Sequence, residues 1–492
     1  MNLFGLWQRW WWLVTLVGAV AIWLAPIDGQ VMVTTSDDTG WVWPQIQVNP
    51  SLPEAGETVT VWVTDVKPWS HVMLTVNDSA AGWVETTANP AETWTWQFEF
   101  IAPDVADGQG YALTFYHDCH TGCQQRTQTA IGPYAPDADS LKQVLRPTKL
   151  GLVFPNPERD WHGRQGWGVE LTYAVLADDP TWDIDRLAQR VAAHHSKGVR
   201  MLIRVDYAPQ QSLPPVDDEI ALSQYLTYLQ RLANDDRLRD VYGYIIGTCY
   251  NEIASNRLSP ESLTTPAWYA RVFNGYGQDV THTDNAVQVM RAANDRARLL
   301  VGPLQPWNEE QNGDYPYAID VPWLNYMNTL VRYLDEATLA RQTAGIPLSG
   351  PDGFAIQAPG NPTAPELGET PASQEPLLDL PRATWQGAQV GFSVYRDWIA
   401  IINDYETTQN LPIYISSTNT YIPSQGIPPA QNYPAGWLTN ALDVVNQNPQ
   451  IVALIWFMDD LPGDEQWQWF SLRQGSGRLI EAAGEFEGLL LE

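Results

Sequence analysis

The sequence predicts an α/β protein: a (β/α)8 barrel preceded by an all-β immunoglobulin-like sandwich and an N-terminal apolar helix. Three observations carry this. Strand-like apolar runs alternate with amphipathic helical patterns from Lys149 onward, and such alternation implies a parallel sheet with helical crossovers. Apolar and polar residues alternate with period two through much of 41–132, the mark of half-buried strands. An uncharged apolar stretch lies near the start of the chain. At 492 residues and about 150 per domain, roughly three units are expected.

At the N-terminus, Arg9 precedes a run from Trp10 to Ile27 without a charged residue, about the length a bilayer crossing needs. Ala19-Val20-Ala21 has the small-x-small form of a cleavage site, whereas Ile22-Trp23-Leu24 continues the apolar run. Residues 1–29 therefore read as a signal peptide or as a membrane anchor. Either reading puts the rest of the chain outside the cytoplasmic membrane, secreted or anchored and facing out.

Residues 41–132 follow as the sandwich. Val59, Val61 and Val63 alternate with Thr58, Thr60 and Trp62, and Trp94, Trp96, Phe98 and Phe100 alternate with Thr95, Gln97 and Glu99. Turn-rich segments such as Asn77-Asp78-Ser79 and Asp107-Gly108-Gln109-Gly110 separate the strands. About seven short strands in some 90 residues suit an immunoglobulin-like or fibronectin-like module, which spaces or binds and seldom catalyses. In an exported protein Cys119 and Cys123, around a Thr-Gly turn, read as a disulfide. A zinc site from His117, Cys119, His120 and Cys123 is the alternative, but its ligands are crowded for the usual paired spacing. Cys249 is left without a partner.

Residues 133–148, with Pro133 and Pro136 among acids, read as a linker, and 149–492 as the barrel. Strand-like runs fall at 150–154, 199–205, 242–247, 299–303, 354–357, 413–416 and 451–457, with 169–173 as the candidate eighth. Helices are expected over 183–196, stopped by Gly198, and over 322–337. In such a barrel the C-terminal strand ends form the active face. The Pro- and Glu-rich segment 359–381 reads as a surface insertion over that mouth. No glycine-rich phosphate loop follows a strand and no metal-ligand array appears, so neither a cofactor nor a metal is expected.

Charge narrows the partners. Lys and Arg total 27 against 57 Asp and Glu, a formal charge of −30, which lacks the basic footprint that nucleic acid requires. The acids are spread and read as a solvated surface. Counts of 24 Trp and 21 Tyr suit a core built from large rings, and they also suit stacking surfaces for sugars.

Two strand ends carry the chemistry. Tyr242-Gly243-Tyr244-Ile245-Ile246-Gly247 leads into Thr248-Cys249-Tyr250-Asn251-Glu252, and Leu411-Pro412-Ile413-Tyr414-Ile415 leads into Ser416-Ser417. With Trp456 in Leu454-Ile455-Trp456-Phe457, these segments over 149–460 resemble the retaining TIM-barrel glycoside hydrolases related to cellulases and β-galactosidases. In that family an Asn-Glu pair ends the fourth strand and a second Glu ends the seventh. The resemblance implies that Cys249 and Ser417 stand at the two glutamate positions, so the usual reaction, which needs two carboxyl groups about 5 to 5.5 Å apart, is lost. It also implies that Trp456 floors a sugar site.

Asn251-Glu252 is itself an Asn-Glu pair, and a longer loop would bring Glu252 into the acid/base position. Its possible partners are Asp206 at a strand end, Glu309 and Glu310 after Trp307, and Asp459 and Asp460 after Trp456. Arg204 and Asp206 share a strand face, which equally suits a structural ion pair. Substrate contacts are expected from Trp456, Trp307, Tyr207, Asn251 and Tyr421. Ser417 has no local base, so Ser-His-Asp catalysis finds no support. Three functions follow: a glycan-binding or processing envelope protein without the standard mechanism, an active hydrolase using Glu252, or a structural surface protein.

Overall fold

A computed structural model describes 45–49, 58–65, 71–76, 79–85, 94–102, 111–117 and 124–131, and, between 146 and 491, all but 240, 347, 361–384, 423–425 and 461–464. The N-terminal apolar segment, Cys119, Cys123, most of the linker and most of the 359–381 insertion lie outside the described residues. Two compact units divide near Arg146.

The first unit holds seven strands: β1 (Gln45–Asn49), β2 (Thr58–Asp65), β3 (His71–Val76), β4 (Ser79–Glu85), β5 (Trp94–Ile101), β6 (Tyr111–His117) and β7 (Gln124–Ile131). They form a three-stranded sheet ordered β1-β2-β5 and a four-stranded sheet ordered β4-β3-β6-β7, with every pairing antiparallel. Val59, Val61 and Val63 of β2 and Trp96 and Phe98 of β5 share one buried core with Val72 and Leu74 of β3 and Leu113 and Phe115 of β6. Period-two alternation thus turns one face of each sheet into a common apolar layer.

The second unit is a closed parallel barrel of eight strands. These are β8 (Arg146–Val153), β9 (Arg164–Tyr173), β10 (Arg200–Asp206), β11 (Gly243–Ile246), β12 (Leu299–Val301), β13 (Gly353–Gln357), β14 (Ile413–Thr418) and β15 (Ile451–Trp456). All eight expected runs are strands, 169–173 lying within β9. The first strand starts at Arg146, inside the stretch expected as linker. Around the barrel lie α1 (Ile184–His195), α2 (Glu219–Asn234), α3 (Pro266–Asn274), α4 (Ala286–Ala293), α5 (Pro322–Thr343), α6 (Tyr395–Asn403), α7 (Pro429–Asn432), α8 (Trp437–Asn446) and α9 (Leu479–Leu491). The Asp183 side chain caps α1 by accepting from Arg186 N. Helix α5 runs six residues beyond the expected 337, and Thr338 and Arg341 in that extension are still buried.

The β8–β9 connection, 154–163, contains no helix. Helix α9 covers it: Phe486 meets Trp161 edge-on at 6.1 Å between centroids, and Arg164 Nε donates to the Leu490 carbonyl at 3.0 Å. Alternation along the barrel strands sorts side chains into two layers. Met201, Ile203 and Val205 belong to the outer core with the helices, while Leu202 joins Trp167, Ile245, Leu300 and Tyr414 in the barrel interior. Trp167, Tyr242 and Tyr414 close the N-terminal end of that interior, with Trp167 edge-on to Tyr242 at 4.6 Å and to Tyr414 at 5.4 Å.

Candidate functional site

The C-terminal end of the barrel interior is polar. On β10 the interior phase that begins at Leu202 continues through Arg204 to Asp206. Arg204 Nε donates to Asp206 Oδ2 at 3.0 Å, and Nη2 reaches the same oxygen. Asp206 is only 1% exposed. Burial pushes its pKa up and Arg204 pulls it back.

After β11 the backbone turns sharply. Gly247 has φ +71° and Cys249 φ +47°, a left-handed region that suits glycine and strains a residue with a Cβ. The Cys249 amide donates to the Pro303 carbonyl at 2.7 Å. Its thiol is buried among amides: Gln357 Nε2 lies 3.1 Å from Sγ, and Sγ lies 3.6 Å from Gln305 Oε1. Burial, reinforced by the nearby Glu252 carboxylate, raises the thiol pKa far above its ordinary value. The group is a neutral thiol, not a nucleophilic thiolate.

Ser417 reaches the same face through a β-bulge. The β13–β14 register runs Ile356 with Ile415 and then Gln357 with Ser417, skipping Ser416. One extra residue reverses the alternation, so Ser417 shares a side with Gln357. Ser416 Oγ donates to the Ile356 carbonyl at 3.1 Å. The structure therefore brings Asp206, Cys249 and Ser417 to one mouth.

Glu252 lies three residues beyond Cys249, at the entry to a 3-10 turn, 253–255. Part of the side chain meets solvent, yet protein surrounds the carboxyl closely. Burial raises its pKa to about 8, Ser255 opposes the rise through a 3.2 Å hydrogen bond, and Glu310 adds to it. Glu310 is tied to the same loop, accepting from Ile253 N at 2.5 Å. A carboxyl with this pKa holds its proton at pH 7.

Several expected contacts lie elsewhere. Trp456 is fully buried on the outer side of β15, edge-on to Tyr433 at 5.7 Å and to Trp437 of α8 at 6.0 Å. It does not floor the mouth, because Ile455 takes the interior phase. Tyr207, one residue past Asp206, turns outward to α2, where its hydroxyl donates to Gln224 Oε1 at 3.1 Å. Asn251 is a structural clip: its amide donates to the Gln305 carbonyl at 2.9 Å and its Oδ1 accepts from Gln305 N at 2.8 Å. With both functions used, it has little left for a substrate. Trp307 is half-buried, edge-on to Trp323 of α5 at 6.4 Å. Asp459 is held by Arg159 and by Asn156 N at 2.7 Å.

Tyr421 belongs with aromatics that the sequence reading overlooked. It meets Phe470 at 5.5 Å, Phe470 meets Phe457 at 6.2 Å, and Phe457 meets Trp467 at 5.7 Å. Phe457 and Tyr421 remain partly exposed beside β15 and β14, while Trp467 and Phe470 are buried behind them. The run Trp467-Gln468-Trp469-Phe470 was the available signal. Gln357 was also legible, since it stands two residues after the interior Ala355. Among the described residues no group of three or more His, Cys, Asp or Glu is placed to hold a metal.

Fold and site define an α/β barrel with a polar C-terminal mouth flanked by aromatic rings. No protein-family model matches the chain, and no curated protein matches it. Solved structures similar to it are glycoside hydrolases. A glucosidase from Croceicoccus marinus is 12% identical over 67% of this chain and 64% of that one, with a TM-score of 0.42. A family 5 xyloglucanase from Paenibacillus pabuli is 12% identical over 66% of this chain and 86% of that one, with a TM-score of 0.34. A β-glucuronidase from Bacteroides uniformis is 10% identical over 84% of this chain and 45% of that one, with a TM-score of 0.30. This chain thus spans less than two thirds of the glucosidase and under half of the glucuronidase.

Proposed function

We propose that this chain is an exported envelope protein whose barrel mouth binds extracellular glycan without the two-glutamate retaining reaction. One observation carries the reading: the interior face at the ends of β11 and β14 presents Cys249 and Ser417, a neutral thiol bonded to amides and a hydroxyl on a bulge. Neither can act as the acid or nucleophile of that reaction. Phe457 and Tyr421 offer ring faces beside the polar mouth, a combination suited to sugars, which carry apolar C–H faces and polar rims. The N-terminal run 1–29 supplies the export signal or anchor. The seven-stranded unit, an immunoglobulin-like sandwich on this reading, spaces the barrel or adds a second binding surface.

A hydrolase reading has its own support. Glu252, protonated at neutral pH, has the property of a general acid, and Glu310 is close enough to act on its titration. Reducing-sugar release and retention on immobilised polysaccharides, measured side by side for the parent and Glu252→Gln, separate the two. Retention without release supports binding. Release that disappears in Glu252→Gln would make the chain a hydrolase with a displaced acid.

A further inference from the structure

Two mouth acceptors have no donor among the described residues, Asp206 Oδ1 and Gln357 Oε1. Asp206 is held by Arg204 through its other oxygen, whereas the Gln357 amide lies against a thiol, with Nε2 3.1 Å from Cys249 Sγ. Gln357 is 4% exposed and Cys249 is 2% exposed, so what this pair can do must need no molecule from solvent. A thiol in contact with a primary carboxamide meets that condition, because the two are the halves of a thioester.

Both halves are held in place. Gln357 ends β13, and Cys249 is fixed by the bond from its amide to the Pro303 carbonyl at 2.7 Å and by Thr248 N, which donates to Ser212 Oγ at 2.7 Å. Gln305 Oε1, 3.6 Å from Sγ, takes the S–H, which leaves the sulfur lone pairs to face Gln357. No bond to Gln357 Oε1 opposes a turn of the carboxamide that presents Cδ to the sulfur. A thioester carbonyl is also a weaker acceptor than an amide carbonyl, so this oxygen is less costly to bury unpaired in the product.

We propose that Cys249 and Gln357 form an intramolecular thioester. Sγ bonds to Gln357 Cδ, the Cδ–Nε2 bond breaks, and the thiol proton leaves on that nitrogen as ammonia; no oxidant, reductant or cofactor takes part. The structure shows the pair as free thiol and amide, before closure. Burial and the Glu252 carboxyl, itself influenced by Glu310, disfavour the thiolate, and Arg204 favours it. Thiolate is therefore scarce, and closure depends on proximity, which for well-oriented partners is equivalent to about 10⁵ to 10⁸ M of reactant. The burial that keeps reagents out also keeps out the water that hydrolyses thioesters. The bond ties the end of β13 to the turn after β11, 108 positions away in sequence, whether or not the mouth binds glycan.

The test is intact-mass spectrometry in acid, where thioesters persist, of the full chain in a Cys119→Ser, Cys123→Ser background. The same background carrying Cys249→Ala or Gln357→Leu is measured beside it. Most molecules of the background protein should fall short of their sequence mass, counted from the N-terminus found, by one ammonia, and both variants should have full mass. Unfolding in methylamine should then free the Cys249 thiol and place a methylamide on residue 357. Unfolding in plain buffer lets water return the thiol and leave a carboxyl there, so thiol titration after unfolding gives the same result with or without the bond. Mass and methylamide separate the two states. Full mass, or a deficit without a methylamide at residue 357, would overturn the proposal. So would a deficit that persists in Cys249→Ala, which marks ammonia lost elsewhere. Full mass in the background protein is decisive even if a variant fails to fold.

Discussion

Gln357, the last residue of β13, donates its side-chain amide to Cys249 Sγ beyond β11 at 3.1 Å. The contact spans 108 positions of sequence and joins the sixth and fourth strands of the barrel. It makes Cys249 part of a hydrogen-bonded floor and not a reactive thiol.

Accordingly, in a Cys119→Ser, Cys123→Ser background Cys249 should resist a thiol reagent such as Ellman's in the native state and react fully on denaturation. Both burial and the raised pKa suppress the thiolate that such reagents need. Rapid stoichiometric labelling of folded protein would contradict this placement.

The Arg204–Asp206 pair makes a stability prediction. Arg204→Leu strands a buried carboxylate and should lower unfolding free energy by about 3 to 5 kcal/mol, whereas the double variant Arg204→Leu, Asp206→Leu should recover much of the loss. Denaturant melts of the two variants measure the difference.

Adjacent aromatics on β15 and beyond it should behave oppositely. Trp456→Ala opens a cavity between β15 and α8 and should cost about 3 to 5 kcal/mol of stability. Phe457→Ala should cost less stability and should weaken polysaccharide retention. A folded Trp456→Ala that loses retention selectively would place Trp456 at the mouth after all.

Glu252 and His194 set opposite pH limits. The Glu252 carboxyl, raised from 4.5 in the unfolded chain to about 8 in the folded one, binds its proton more tightly when folded. Its contribution is fully present below pH 4.5 and is lost as pH rises through 8. Glu252→Gln should therefore melt at a higher temperature than the parent at pH 9, relative to their difference at pH 4.5.

Buried His194 is pushed down from 6.5 to about 4, chiefly by desolvation. Its contribution is present above pH 6.5 and is lost as pH falls towards 4, on the order of 3 kcal/mol in total. His194→Phe should flatten the acid limb of a stability-versus-pH curve.

Much of the barrel was legible because parallel strands buried on both faces read as short apolar runs, and all eight runs are strands. The two strand ends at Gly247 and Ile415 were legible for the same reason. Side-chain direction was harder. Trp456 and Tyr207 were expected at the mouth, but each stands one position out of phase with the interior residue before it, Ile455 and Asp206.

The sequence by itself determined the order of strands and helices, the acidic surface and the residue types at the strand ends, since these follow from local periodicity and composition. Only the tertiary structure decided which residues share the mouth. The bulge that turns Ser417 inward is set by pairing with β13, and Asn251 is used up by Gln305 from the next loop. The acceptors left over on Asp206 and Gln357 depend on neighbours at Arg204 and Cys249. Such relations are fixed by interstrand register and by loops that meet only when the barrel closes, and no local pattern along one strand encodes them.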